Sequence, residues 1–183
     1  MFSSSAATRQ AGYAETPPAP AILMMLRTKH GLLFSTLCLF FLLDRLIKNK
    51  IQHGMHLGES VPVIDQVFHI TYVQNAGAAF SLFHSQPQLL LSVTVLLFAG
   101  FLVYCLKKSV DHWMEPLAMG LILGGALGNI IDRMMIGRVV DYLDVTCINY
   151  PVFNLADAGI FCGILILLWH HWRHIHAVGA DDA

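Results

Sequence analysis

The chain has 183 residues, of which 56% are hydrophobic and 13% charged, with a formal charge of -1 at pH 7 and a mean hydropathy of +0.60. Soluble domains carry about 25% charged residues, so most of this single-domain chain belongs in a membrane, and its near-neutral charge offers no basic field for DNA or RNA. Cys38, Cys105 and Cys162 lie in apolar runs and Cys147 in a polar loop, so no disulfide framework is implied; no His-Glu-x-x-His or Cys-x-x-Cys spacing points to a metal, and no cofactor is expected.

Residues 1 to 21 are rich in Ser, Ala, Thr and Pro, a composition that buries too little apolar surface to offset its ordering entropy, and they are expected to be disordered. Met24 and Met25 are alternative translation starts, because a basic segment and then an apolar one follow, as at a membrane entry. The first span is expected over 31–43 (GLLFSTLCLFFLL), with Asp44, Arg45 and Lys48 carrying the helix into the interface. A cleaved signal peptide is the rival reading, but no small-x-small site follows.

The segment VPVIDQVFHITYV, rich in β-branched and aromatic residues, predicts short strands lying on the membrane surface. A second span runs from Gln88 to Leu106, between Pro87 and the pair Lys107 and Lys108. The third runs from Pro116 to about Ile131, with Gly120, Gly124 and Gly128 forming a stripe that lets a neighbouring helix approach. The fourth runs from about Asn154 to Trp172 and ends in Trp169, Trp172 and Arg173, an interfacial pattern. The fold class expected is therefore an all-α membrane protein of four transmembrane helices, with a small β-rich cradle outside the membrane.

Four spans put both termini on one side. Arg9, Arg27, Lys29, Lys107, Lys108 and Arg173 lie on that side; on the other, Arg45, Lys48 and Arg133 stand beside Asp44 and Asp132 and read as paired, leaving Lys50 and Arg138 as free loop charge. The balance favours cytoplasmic termini. No internal repeat supports an inverted-repeat transporter.

Polar residues gather at one membrane face: Asp44, Lys48, Asn75, Asn129, Asp132, Arg133, Asp141, Asp144, Asn154 and Asp157. Ionisable groups near a bilayer are costly and point to function by default. Asp44 and Lys48, at i and i+4 with the acid first, read as a structural ion pair with substrate contact as the alternative. Asp132 and Arg133 read as an interfacial pair with a scaffold role, and Asn129 and Asn154 as helix caps that could also hold a carboxylate.

Asp157 differs, because it lies in the apolar start of the fourth span with no basic residue within four positions. Its burial is costly unless it is neutral or shares a partner. Asp141 is a candidate partner, on a different element because Pro151 intervenes. Two adjacent carboxyls hold one proton between them, the arrangement for peptide hydrolysis by activated water. Spacing alone leaves a buried structural aspartate or an ion site equally open.

Four ordered stretches now bear on the choice: DRLIK from Asp44 to Lys48, QNAGAAFS from Gln74 to Ser81, GGALGNIIDR from Gly124 to Arg133 followed by GRVVDY, and FNLAD from Phe153 to Asp157. In these the chain resembles the lipoprotein signal peptidase (signal peptidase II) family over about residues 30 to 172. The resemblance implies a membrane aspartic endopeptidase that cleaves prolipoproteins just before a diacylglyceryl-modified cysteine. It implies Asp141 and Asp157 as catalytic dyad, Asn129, Arg133 and Asn154 as residues lining and ordering the site, and Asn75 and Gly77 as part of the cradle over the substrate. Asp44 and Lys48 would support the site from the first helix, with Asp132 and Ala156 as further support. The domain would then occupy 30–172, between a lead-in of 1–29 and a cytoplasmic tail of 173–183, in the bacterial inner membrane, acting as a monomer with its active site outside. A proton-coupled transporter or channel using the same aspartates is the alternative from another class, and a non-enzymatic assembly factor a third. His170 and His174, at helical spacing, read as an interfacial tail in preference to a metal site.

Overall fold

The structure, a computed structural model, describes residues 19–77 and 86–181. Most of the expected tail and the residues Ala78 to Ser81 of the QNAGAAFS motif lie outside the described residues. In chain order the elements are α1 (Ala19–Gly54), β1 (Ser60–Ile64), β2 (Phe68–Asn75), α2 (Pro87–Lys107), α3 (Met114–Ile136), β3 (Val139–Asp144), a short 3-10 turn (Thr146–Ile148) and α4 (Leu155–Asp181).

All four helices contain stretches long and apolar enough to cross a membrane: His30–Gly54, Pro87–Lys107, Met114–Ile136 and Leu155–His174. The helices outrun the apolar stretches that announce them. α1 begins at Ala19, within the segment expected to be unstructured, because Pro20 is tolerated in a first turn and the residues after it favour helix. It also continues past Leu43 to Gly54, so Asp44, Arg45 and Lys48 extend the helix as expected, and α3 continues past Ile131 to Ile136, so Asp132 and Arg133 are helical residues too. α2 has Pro87 at its start, where a missing N–H costs nothing, and its 21 residues give a length of about 31 Å.

α3 is the central helix. Of its apolar stretch 61% is buried within the protein, against 11–17% for the other three, whose outer faces expose Leu39, Leu96 and Leu168 as a lipid-facing surface would. The glycine stripe explains this centrality. A Cβ on Gly120 would lie 2.7 Å from the Leu33 carbonyl oxygen and from Thr36 Cβ, and one on Gly124 2.8 Å from the Leu37 carbonyl oxygen, so α1 lies against bare backbone. Gly125 meets the carbonyl of Ala156 on α4 in the same way, and Gly128 the carboxylate of Asp44. Leu33, Cys105, Met119 and Leu123 form the buried apolar knot where α1, α2 and α3 meet.

Gly120→Ala is expected to destabilise the protein by about 1–3 kcal/mol, since a backbone carbonyl cannot give way. Gly100→Ala, where a Cβ meets nothing within 4 Å, is the control and should melt no lower than the parent in detergent. Equal melting temperatures for the two variants would refute the packing role of the stripe.

The strands form one antiparallel sheet in the order β1-β2-β3. The expected strands over VPVIDQVFHITYV are β1 and β2; β3 goes beyond the expectation, because its VVDYLD is buried at Val139 to Tyr142 and lacks alternation. β3 is held on both edges. Val73 and Asn75 of β2 register with Asp141 and Val139. On the far side Leu143 bridges Phe153, the Val140 N–H donates to Asp132 Oδ2 at 3.2 Å, and the Val140 carbonyl accepts from Asn154 Nδ2 at 3.2 Å. Asp141 therefore sits on a strand anchored along both edges.

Candidate active site

Asp157 owes its position to a helix start. Asn154 caps α4: its Oδ1 accepts the Asp157 N–H at 2.9 Å, while Asp157 Oδ2 accepts the Asn154 N–H at 3.3 Å, a reciprocal capping box. The carboxylate thus lies in the first turn of α4, where unsatisfied N–H groups favour negative charge. Asp141 on β3 and Asp157 on α4 both line one cleft of about 620 Å³, together with Asn75, Gly77, Asn129 and Arg133.

Each carboxyl is oriented by amides whose own orientation is unambiguous. Asn129 Oδ1 accepts from Lys48 Nζ at 2.9 Å and from Asn154 Nδ2 at 3.2 Å; an ammonium only donates, so Asn129 Nδ2 is left to donate to Asp157 Oδ1, at 2.8 Å. Asn154 Nδ2 donates to Asp141 Oδ1 at 2.7 Å, and Asn75 Nδ2 to Asp141 Oδ2 at 3.0 Å. Asn75 Oδ1 is occupied by the Gly77 N–H at 2.9 Å, which prevents its amide from turning over.

Beneath the amides lies a buried ion cluster joining α1 to α3. Lys48 Nζ is 3.0 Å from Asp44 Oδ2 and 2.9 Å from Asp132 Oδ2, and Arg45 Nη1 is 2.5 Å from Asp132 Oδ1. Asp44 Oδ1 accepts the N–H of Ala156 at 3.2 Å, so Ala156, fully buried, ties the cluster to the capped turn that carries Asp157.

Burial pushes the Asp141 carboxyl up to about 7, and the neighbouring charge of Asp157 adds to the rise; hydrogen bonds from Asn75 and Asn154 and the charge of Lys48 oppose it. Tyr142, next to Asp141, is also buried and its phenol is pushed above its usual range, mainly by desolvation; its oxygen accepts the Leu155 N–H at 3.2 Å and so holds the first turn of α4. Sequence reading missed Tyr142, because a phenol beside a candidate aspartate carries no distinguishing pattern.

Three sequence expectations need correction. Asp132 and Arg133 do not pair with one another: consecutive helical residues diverge by about 100°. Asp132 binds Arg45 and Lys48, while Arg133 turns into the cleft and donates to the carbonyls of Asn129 and Gly77, each at 3.4 Å. Asn129 is not a cap, because α3 continues to Ile136. Arg133 forms no ion pair among the described residues, so it does not belong with Arg45 and Lys48 in the discount applied to outside charge. The other candidates, Asp44, Lys48, Asn75, Gly77, Asn154 and Ala156, all converge on the two aspartates, whereas Asp144 takes the Thr71 hydroxyl at 2.7 Å on the sheet. Among the described residues no group of three or more His, Cys, Asp or Glu is arranged to hold a metal ion.

Four helices long and apolar enough to cross a membrane, with two aspartates lining a cleft beside them, fit a multi-pass membrane protein. A family model described as signal peptidase (SPase) II matches residues 36–173, and the chain belongs to that family. It is 41% identical to the lipoprotein signal peptidase of Halothermothrix orenii over 142 residues, covering 78% of this chain and 96% of that one. It is 44% identical to the lipoprotein signal peptidase of a Nostoc species over 147 residues, covering 78% and 90%. Among solved structures it resembles a bacterial membrane enzyme determined by the in meso method at 2.3 Å resolution, with a TM-score of 0.73 and 26% identity over 78% of this chain and 88% of that one. The activity that accompanies this membership is removal of signal peptides from prolipoproteins, and nothing in the comparisons supports a transporter.

Proposed function

We propose that the chain is an aspartic endopeptidase that cuts prolipoproteins on the N-terminal side of a diacylglyceryl-modified cysteine, with Asp141 and Asp157 as the dyad. The observation that carries this reading is the convergence of two carboxyls from separate elements on one cleft, each held by asparagine amides. Asp157 lies in a helix first turn and is linked through Asn129 to the Lys48 ammonium, which places it as the base. In this reading Asp141, whose carboxyl burial pushes up, serves as the proton donor.

In the reaction Asp157 takes a proton from water while the resulting hydroxide attacks the scissile carbonyl, and Asp141 gives its proton to the carbonyl oxygen. When the tetrahedral intermediate collapses, the C–N bond breaks, the leaving nitrogen of the lipidated cysteine takes the proton from Asp157, and Asp141 recovers its own. Arg133, Asn75 and Gly77 line the peptide's path. Ile160, Phe161 and Ile164 continue the cleft along α4 from Asp157, and the last two are 62% and 44% exposed, so acyl chains can remain in lipid while the peptide reaches polar groups.

The test is proteolysis of a purified prolipoprotein in liposomes, followed by mass spectrometry. The expected product begins with the diacylglyceryl cysteine, and the unlipidated precursor should be cut poorly. Cleavage at another bond, or equal cleavage without the lipid, would refute the assignment.

We further infer that both termini are cytoplasmic and that the sheet and cleft face outward, as the distribution of Lys and Arg suggests. Cys147 is exposed in the loop beyond β3. In a chain whose other cysteines are changed to serine, it should react with an impermeant maleimide added to spheroplasts; labelling only after lysis would reverse the orientation.

A further inference from the structure

About 20 Å along α4 from Asp157, the turn between α2 and α3 and the end of α4 enclose a second hollow of about 200 Å³, lined by His112, Met114, Trp169, His170, Arg173 and His174. Peptide hydrolysis makes no use of it. His112 Nδ1 accepts the Met114 N–H at 3.2 Å, which places the ring proton on Nε2. The His170 ring lies 5.3 Å from that of His112 and 4.7 Å from that of His174. Arg173 forms no ion pair among the described residues.

The carboxylate that borders this group, Glu115, is already compensated. It is buried, its Oε1 lies 2.8 Å from Lys108 Nζ and 3.4 Å from His170 Nε2, and its Oε2 faces the Asp111 N–H at 3.4 Å. A metal cation would have to displace the lysine, whereas an anion finds the His112 Nε2–H and the Arg173 guanidinium. Asp111 is the other acid of the turn and is exposed, as is the cation Lys107.

The depth of the hollow limits the kind of anion. Trp169 and Trp172, with ring centroids 5.5 Å apart and both about half exposed, stand where the apolar part of α4 ends, the position of an interfacial aromatic belt. From there Leu168, Leu165 and Phe161 form an exposed stripe running along the helix. A hollow of about 200 Å³ has room for a small anion such as one phosphate diester. We propose that it binds the headgroup phosphate of an anionic phospholipid, held by Arg173 and His112, with the acyl chains lying along the stripe.

The purified protein in detergent is titrated with phosphatidylglycerol, phosphatidylcholine or inorganic phosphate, and followed by native mass spectrometry and thermal melting. Phosphatidylglycerol is expected to stay bound and raise the melting temperature, phosphatidylcholine and inorganic phosphate to do neither. Arg173→Gln should weaken phosphatidylglycerol binding roughly tenfold, and Arg173→Gln with His112→Gln further, whereas Lys50→Gln, an exposed cation near the sheet, should leave it unchanged. Both substituted side chains are at the surface or in the turn, and wild-type melting without lipid would confirm folding of each variant. An equal response to phosphatidylcholine, a full response to inorganic phosphate, or undiminished phosphatidylglycerol binding by the double variant would overturn the site.

Discussion

Asp141→Asn and Asp157→Asn are each expected to abolish prolipoprotein cleavage, with losses of at least about 10³-fold, while the protein remains folded. Asparagine keeps the shape and removes the proton chemistry. At position 141 it keeps an oxygen for Asn154 but turns an NH2 group towards Asn75, whose amide cannot rotate because the Gly77 N–H holds it. That costs about one hydrogen bond, roughly 1 kcal/mol, against relief from burying a charge. Because the two carboxyls act as a unit, the double variant should be little worse than either single one.

The pH profile of the parent gives an independent reading. Asp141 has a folded-state pKa raised from 3.8 to about 7, so it stays protonated at mildly acid pH and loses its proton as pH rises through about 7. If it is the proton donor, cleavage falls on that alkaline side. The same shift has the opposite sense for stability from that of a salt-bridged aspartate: between 3.8 and 7 the unfolded chain binds fewer protons, so the contribution of Asp141 to stability diminishes as pH rises. A rate that increases steadily through pH 7 to 9 would exclude Asp141 as the donor.

The second large effect is expected at Lys48, which no water and no substrate need touch. Lys48→Met removes the cation lying between Asp44 and Asp132 and is expected to cost about 3–5 kcal/mol, because Asp44 is left buried without its counter-charge. It also deprives Asn129 of one of the two donors that fix its amide, so cleavage should fall even in the fraction that folds. Adding Asp44→Asn should recover part of the stability, since the uncompensated charge is gone, but not the activity. Melting in detergent and a cleavage assay on the folded fraction separate the two effects. If Lys48→Met and the double variant melt alike, the ion cluster is not the structural element described here.

Much of the site was legible in the chain because membrane residence makes charge informative. In a sequence with 13% charged residues, Asp44, Lys48, Asp132, Asp141 and Asp157 stand out as costs that require a return, and the i,i+4 spacing of Asp44 and Lys48 announced an ion pair that forms at 3.0 Å. The glycine stripe likewise announced close helix contact, and α3 proves to be the helix that the others surround. What misled was the end of the third span, expected at about Ile131 where its apolar run stops, although the helix continues to Ile136. Asp132 and Arg133 looked like a pair at a helix end; on a continuing helix they point apart, one into the ion cluster and one into the cleft.

By itself the sequence determined four spans, the strands that follow α1 and the small set of residues able to do chemistry, because hydropathy, periodicity and the cost of buried charge are local or compositional properties. Which of those residues meet was decided only by the tertiary structure. β3 had to be gripped by β2 on one side and by Asp132, Asn154 and Phe153 on the other before Asp141 could face the first turn of α4. The orientation of each asparagine amide depends on a donor that is distant in sequence, as Lys48 is for Asn129. Such contacts combine elements far apart in the chain, and no local pattern encodes them; they exist because one packed arrangement satisfies every buried polar group at once.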